Sequence, residues 1–393
     1  MSRIYTAIEF GTTKLTVLIS RRRKSGSLEI LGLGNVSYSG IQGENWKHAD
    51  SIRSVLLKAV EQAQDSAGLK VRHCVIGIPN EFCGLIRNYR ELALEREVSR
   101  QDVEDLRQTI EDYPLPDPWE VSGVYYGYFN ADGQAITGPI GMHAGILGVE
   151  ASLICMHGKF VSQLTKYLEE LNIAVDGVVS IPVAYSRALL TPEETDSGAL
   201  IIDVGGHSTD IAYFKDGRPL IFDWLPLGGK HISQDVEKGM SIPFSEAERL
   251  KKKCSLADDG KTQADGARSM TETDQAADEE AGRTAFLKQI VEARVEEILT
   301  LSVKKAAASG LIDRDCSIVL TGGGLAMYKG IREFSTEVLD MPVRLGVPDV
   351  VGLASPVLAS VYSLALADPS RGFRRFYIRD YIDSMLLDIK RRF

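Results

Sequence analysis

Apolar positions along the first part of the chain keep two different periods. Ile4 to Ile8 and Leu15 to Ile19 are short runs of strand length on either side of a polar turn, Glu9-Phe10-Gly11-Thr12-Thr13-Lys14. The basic run Arg21 to Lys24, before Ser25-Gly26-Ser27, reads as a solvated hairpin tip. From Ser51 to Ala67 the spacing becomes helical: Ile52, Val55, Leu56, Ala59, Val60 and Ala63 form one buried stripe that stops at Gly68. His73 to Pro79 then reads as a short buried strand.

The same order returns in the second half. Ala199 to Ile202 is a strand, Asp203-Val204-Gly205-Gly206-His207-Ser208-Thr209-Asp210 is a second acidic glycine turn, and Ile211 to Phe214 is the strand after it. Lys215-Asp216-Gly217-Arg218 then supplies a hairpin turn. Strand, acidic turn, strand has therefore occurred twice, which predicts two similar halves facing a cleft.

Between about Asn80 and Gly158 the texture changes to a charged helix (Ser99 to Glu111), a proline-rich turn and an alternating stretch, the pattern of a small α+β insert. A helix from Phe160 to Leu171, a strand from Val175 to Ser180 and a helix from Val183 to Leu190 follow. Ser255 to Thr284 is poor in aliphatic residues and reads as a mobile excursion, after which Phe286 to Ala308 is a strong helix. Cys316 to Leu320 is a strand running into a third turn, Thr321-Gly322-Gly323-Gly324.

With 393 residues the chain is too long for one core, and a net charge of −9 gives no electrostatic footprint for nucleic acid. Five scattered cysteines read as reduced thiols. The start shows no signal-peptide pattern, and no run approaches the ~20 apolar residues of a spanning helix, so membrane contact is expected to be peripheral.

A phosphate cradle needs converging backbone N–H groups, which Gly11, Gly205 and Gly206 allow. Lys14 adds a cation, and Thr12, Thr13, Ser208 and Thr209 add hydroxyl donors. Glu9, Asp203 and Asp210 cannot bind phosphate themselves, and make sense with Mg²⁺ and its waters interposed, with Glu9 and Asp203 as its partners through water. A lone D-x-G-G turn is ordinarily just a tight turn. Two of them plus a third glycine turn, on which a flat ligand can lie, point to a nucleotide. No G-x-G-x-x-G or G-x-x-x-x-G-K-[ST] spacing is present. Glu248 and Lys251 share one face of a helix from Ser245 to Lys253 and read either as a cleft pair or as a solvated pair.

The stretch 373–393 places Phe373, Tyr377, Tyr381, Met385 and Ile389 at every fourth position, flanked by Phe376, Ile378, Ile382 and Leu386. Arg374, Arg375, Arg379 and Lys390 to Arg392 outnumber its aspartates, which suits an anionic membrane surface; packing on protein is the alternative.

The turns and their order resemble the actin-like ATPase superfamily, and within it the bacterial cell-division FtsA family. Val178 to Leu190, Leu225-Pro226-Leu227-Gly228-Gly229-Lys230-His231-Ile232, Phe244 to Lys251, Ile290 to Ile298 and Met341 to Pro348 carry the resemblance further. It implies an α/β, actin-like two-lobed fold of two ribonuclease-H-like domains with an inserted α+β subdomain and a carboxy-terminal amphipathic helix. The first lobe would comprise 1–79, 159–195 and 353–370, the insert 80–158, and the second lobe 196–227 and 303–352. A second-lobe subdomain would span 228–302, including the excursion 255–284, and the amphipathic helix 371–393. It further implies ATP and Mg²⁺ in the cleft, with Gly228, Gly229, Lys230, Glu248, Lys251, Gly322, Gly323 and Gly324 on the nucleoside. Self-association into protofilaments, the C-terminal peptide of FtsZ as partner, and a place on the inner face of the cell membrane at the division site are implied too. A pilus-assembly scaffold like PilM, or a small-molecule kinase of the superfamily, are the alternative functions.

Three departures from the family pattern stand out. Glu9 occupies a usual aspartate position, and His207 a usual glycine position, where a positive φ would strain it or its ring could reach phosphate. Ile181 stands where a glutamate commonly precedes the proline and cannot orient a water, so the expectation is ATP binding with slow or absent hydrolysis.

Overall fold

A computed structural model describes residues 4–23, 27–38, 50–257, 272–313, 315–348 and 355–367. The tail 373–393, and with it every expected membrane contact, lies outside the described residues.

The first apolar runs form β1 (Ile4–Phe10), β2 (Lys14–Arg22) and β3 (Leu28–Ser37), an antiparallel meander. Helix α1 (Asp50–Ala67) crosses to β4 (His73–Ile78), which runs parallel to β1. Arg21 and Arg22 belong to β2 rather than to the hairpin tip, and Arg21 and Arg23 both face Glu29 across the hairpin. A short 3-10 turn, Asn80–Phe82, then leads into an insert: β5 (Cys83–Glu97), α2 (Arg100–Glu111), β6 (Trp119–Ala131), β7 (Gln134–Ile136) and β8 (His143–His157). Its sheet is antiparallel in the order β5-β8-β6-β7, and α2 covers one face through Val103, Leu106 and Ile110. Ser99 and Asp102 close a capping box at the start of α2. The chain returns to the first lobe through α3 (Gly158–Glu170) and β9 (Ala174–Ser180), which is parallel to β4.

Helices α4 (Ile181–Leu189) and α5 (Pro192–Ser197) lead to the second lobe. There β10 (Ala199–Val204), β11 (Thr209–Lys215) and β12 (Arg218–Leu225) form the second meander. After α6 (Gly229–Met240), α7 (Phe244–Lys251) and α8 (Glu272–Ala307), β13 (Ser317–Thr321) runs parallel to β10. Helix α9 (Ile331–Leu339) then leads to β14 (Val343–Leu345), parallel to β13. The sheet orders are β3-β2-β1-β4-β9 and β12-β11-β10-β13-β14, the same topology built twice.

Helix α8 starts at Glu272, earlier than the Phe286 expected from sequence, so 272–284 is not an irregular excursion. Residues 280–286 are exposed and Leu287 is the first to be buried, which is why no apolar stripe announced the opening turns. Their Ala, Glu and Gln content supports helix by propensity alone.

Strands buried on both faces read as continuous apolar runs, and each face goes to a different core. In β1, Ile8 and Phe10 pack under α1 and α3, whereas Ala7 faces the other lobe. In β10, Leu200, Ile202 and Val204 pack under the second-lobe helices, whereas Ile201 faces the first lobe. Between the two sheets lie α4 and α10 (Ala359–Leu366), giving one seam that includes Val75, Val179, Tyr185, Val361 and Leu364.

Helix α1 lies hard against β3. A Cβ on Gly34 would come 1.9 Å from the Ala59 carbonyl oxygen, closer than any repacking of side chains can relieve. Gly34→Ala must push the helix off the sheet and is expected to cost about 1–3 kcal/mol, the usual range for overpacking. Urea unfolding of the two proteins measures this, and equal midpoints would contradict so close an approach.

Candidate functional site

The two acidic turns end β1 and β10, the central strands of their sheets, and they meet across the seam. Each closes with the same hydrogen bond: Gly11 N–H donates to Lys14 O at 3.0 Å, and Gly205 N–H donates to Ser208 O at 2.9 Å. The turns touch. The His207 N–H donates to Thr12 Oγ1 at 3.2 Å, and a Cβ on Gly206 would lie 2.1 Å from Thr13 Cγ2. Thr13 O accepts from Tyr38 N–H at 3.0 Å, and the Tyr38 hydroxyl donates to Gly11 O at 2.7 Å, so the first turn is braced from β3's end.

The second turn is built into the third and into the start of α6. Gly229 N–H donates to Gly205 O at 2.9 Å, Lys230 N–H to Gly206 O at 2.8 Å, and Gly324 N–H to Val204 O at 2.7 Å. Gly322 has φ +90°, the left-handed value that lets the chain turn back after β13, with Gly323 against the Val357 side chain. Glu248 and Lys251 are not a solvated pair. Lys251 is 7% exposed, donates to Gly229 O at 2.9 Å and to Glu248 Oε2 at 3.2 Å, while Ser233 Oγ donates to that same carboxylate. The residues expected at the nucleoside therefore form one continuous wall.

Three carboxylates lie beneath the turns. Glu9 is buried and its Oε2 has no hydrogen-bond partner. Burial raises Asp203 from 3.8 to about 6, with the Glu9 charge adding to the effect, while the Tyr185 hydroxyl and Lys14 oppose it. Asp210 is pushed well above the carboxylate range by burial first and by the charge of Asp203 next. Removing charges from water without a counter-charge is costly, so this cluster demands a cation or protons. Among the described residues no group of three or more His, Cys, Asp or Glu side chains is arranged to hold a metal directly.

The cations and donors expected at phosphate are engaged elsewhere. Lys14 Nζ donates to Val357 O at 2.5 Å, on a short 3-10 turn, Pro356–Leu358, and Thr209 Oγ1 donates to Leu227 O at 2.8 Å. His207 does not have the left-handed backbone expected of a glycine position, so the anticipated strain is absent. Its ring lies 3.0 Å from Lys230 Nζ. Burial, then the charges of Lys230 and His231, lower its pKa to about 4, so at neutral pH its Nε2 accepts from the Lys230 ammonium.

Two groups that sequence reasoning missed bridge the lobes here. The Tyr185 hydroxyl on α4 donates to Asp203 Oδ2 at 2.5 Å, and Asn80 Nδ2 donates to Ile211 O at 3.2 Å and to Asp223 O. For Tyr185 the available signal was a tyrosine directly after the apolar run Ile181-Pro182-Val183-Ala184, since a buried hydroxyl requires a partner.

The comparisons agree with this architecture. The family model for "Cell division protein FtsA" matches residues 200–363. The cell division protein FtsA of Bacillus subtilis (strain 168) is 29% identical over 365 residues, covering 90% of this chain and 81% of that protein. The chain is similar to the FtsA family of cell-division proteins. Among solved structures, the PilM–PilN type IV pilus biogenesis complex is 15% identical with a TM-score of 0.58, covering 94% of this chain and 99% of that one. MreB 5 of Spiroplasma citri bound to AMPPNP is 12% identical with a TM-score of 0.50, covering 98% and 99%. The fold is that of the actin-like ATPases.

For the nucleotide with Mg²⁺ that the sequence leads one to expect, the residues present would fit at two ends. The orphaned Glu9 oxygen and the two raised aspartates would be met by a hydrated cation, and the glycine wall with Glu248 and Lys251 could take a nucleoside. Between these ends Thr12 and Thr13 lie in contact with His207 and Gly206, so a phosphate between the turns would need them to part.

A raised carboxylate stabilises the fold while it is protonated. The Asp203 contribution is therefore full below about 3.8 and is lost as pH rises through about 6. His207, lowered to about 4, contributes in the opposite sense over the same window, so the test is differential: Asp203→Asn should remove a downward component from the melting temperature between about pH 3.8 and 6. An unaltered slope in the variant would mean that Asp203 is not held protonated.

Proposed function

We propose that this chain is a nucleotide-binding, self-associating actin-like adaptor that holds the division ring against the inner face of the cell membrane. The observation that carries the reading is similarity to cell division protein FtsA along 90% of the chain, together with two facing turns at the ends of twin sheets. ATP with Mg²⁺ is the proposed ligand, on the residues assembled at the cleft. The fold neighbour bound to AMPPNP supports a nucleotide there.

The proposed partner is the C-terminal peptide of FtsZ, taken by the subdomain around α6 to α8, and the proposed membrane contact is the aromatic and cationic face of 373–393. Among the described residues no helix is long and apolar enough to cross a membrane.

Binding rather than turnover is the proposed use of the nucleotide. Ile181, the first residue of α4, is 4% exposed and packs in the seam between the sheets. It offers no acceptor for an attacking water, and phosphoryl transfer depends on placing that nucleophile. The nucleotide then acts as a wedge whose presence sets the separation of the lobes.

Sedimentation with vesicles of phosphatidylglycerol and phosphatidylethanolamine tests the adaptor. The full chain is expected to pellet with them and to carry an FtsZ tail peptide down, whereas a chain ending at Arg371 stays in the supernatant yet still binds the peptide. Equal pelleting by both would remove the tail from the membrane contact. Capture of a pilus-protein peptide in place of the FtsZ tail would move the chain to another envelope machine.

A further inference from the structure

The insert is spliced into the first lobe between β4 and α3, yet its buried charged contact is with the second lobe. Arg218 opens β12 and is 8% exposed. Its Nη2 donates to Glu150 Oε2 at 2.6 Å, and Glu150 Oε1 accepts from Arg87 Nε at 2.8 Å. Glu150 lies on β8 and Arg87 on β5, so one carboxylate joins both insert strands to the second-lobe meander. Burial works against the Glu150 charge, but Arg218 and Arg87 together hold its carboxyl below the usual range.

The surroundings make this contact an interface rather than a surface ion pair. The guanidinium lies on the backbone of Gly127 in β6, where a Cβ would be 3.0 Å from Cζ and from Nε. Beside it Tyr125 and Ile154 of the insert meet Val183 of α4, with Leu85 and Phe222 packed against them. Asn80, at the insert's entry, is bonded to β11 and β12 as well. The insert thus touches the second lobe along its edge strand while its two covalent connections belong to the first lobe.

Arg218 Nε and Nη1 are buried with no protein partner. A guanidinium using part of its fork is far from the most stable form of such a pair, because idle buried donors carry their full desolvation cost. Exposure to water would satisfy them, which lowers the barrier to letting go. Partial satisfaction is the property a releasable contact needs.

We propose that Arg218 and Glu150 form a latch that couples the insert to the cleft. Engaged, the insert bridges the lobes and keeps the glycine turns in contact. Released, it moves with the first lobe alone and the turns part. A partner that grips the insert would thereby control admission to the cleft from a distance. This device belongs to the fold and stands whether or not the membrane reading does.

Spin labels at Thr109→Cys on α2 and Glu337→Cys on α9, both exposed positions, report the separation of insert and second lobe. Cys254→Ser provides the background, since the other four cysteines are buried. In the full chain electron–electron distance measurements should give one narrow distance. Arg218→Met should add a longer population, Arg218→Lys should restore the single one, and Glu150→Gln, which keeps the shape, should behave as Arg218→Met does. Amide exchange in β12 should quicken at least about tenfold in the released variants, equivalent to about 1.4 kcal/mol of opening free energy. Gly127→Ala, which presses on the guanidinium from the insert side, should move the same readouts in the same direction. A single unchanged distance with unchanged β12 exchange in folded Glu150→Gln and Gly127→Ala would overturn the latch.

Discussion

The apolar seam between the two sheets is the constraint on which the cleft depends. Ala7, Val75 and Val179 from one sheet and Ile201, Ala212 and Val319 from the other are all buried against α4 and α10. Burial of this kind stabilises by about 25 cal/mol per Å² and is indifferent to direction. It fixes the distance between the sheets, and the ends of β1 and β10 must then face each other. The turns inherit their register from the seam, not from any attraction of their own.

What faces across that register is electrostatically unfavourable. Glu9, Asp203 and Asp210 converge at the seam's edge, where the Tyr185 hydroxyl and the Lys14 charge favour the ionised form of Asp203 and the Asn80 N–H that of Asp210, against burial that works the other way. The apolar seam holds together what the acids would push apart. A cation in the cleft would offset that repulsion at the edge of the seam, so any parting of the turns has to be taken up in the turns and at the cleft's rim, while the apolar core between the sheets stays closed. Tyr185 has both roles: its ring packs in the seam and its hydroxyl reaches Asp203.

Period and punctuation made most of the fold legible in the sequence. Strand, acidic turn, strand was visible twice because short apolar runs bounded by glycine have few alternative readings, and the duplicated sheet order is its three-dimensional form. The start of α8 was hidden because its exposed residues 280–286 carry no apolar stripe. At the site, the glycines announced the turns, but the contacts of Thr12 with His207 and of Lys14 with Val357 join residues far apart in the chain. No local pattern encodes such pairs. His207 was legible as an odd residue in a glycine turn, yet its tie to Lys230 required the start of α6 to be placed beside that turn.

The position of Ile181 links the two halves of the argument. It is the first residue of α4, so it stands where the seam meets the cleft, next to the helix end whose partial positive charge would favour an acidic group. An isoleucine there adds apolar burial to the seam and removes an acceptor from the cleft in a single change. Gly77 of β4 is packed so closely against it and Leu364 of α10 that a Cβ there would come 2.3 Å from Leu364 Cδ1 and 3.1 Å from Ile181 Cγ1. On the proposed function, the consequence is a cleft that answers a nucleotide by changing shape rather than by consuming it. That is the behaviour required of a scaffold that must stay assembled, whereas an enzyme of the same fold would need the acceptor restored and the seam loosened to make room for it.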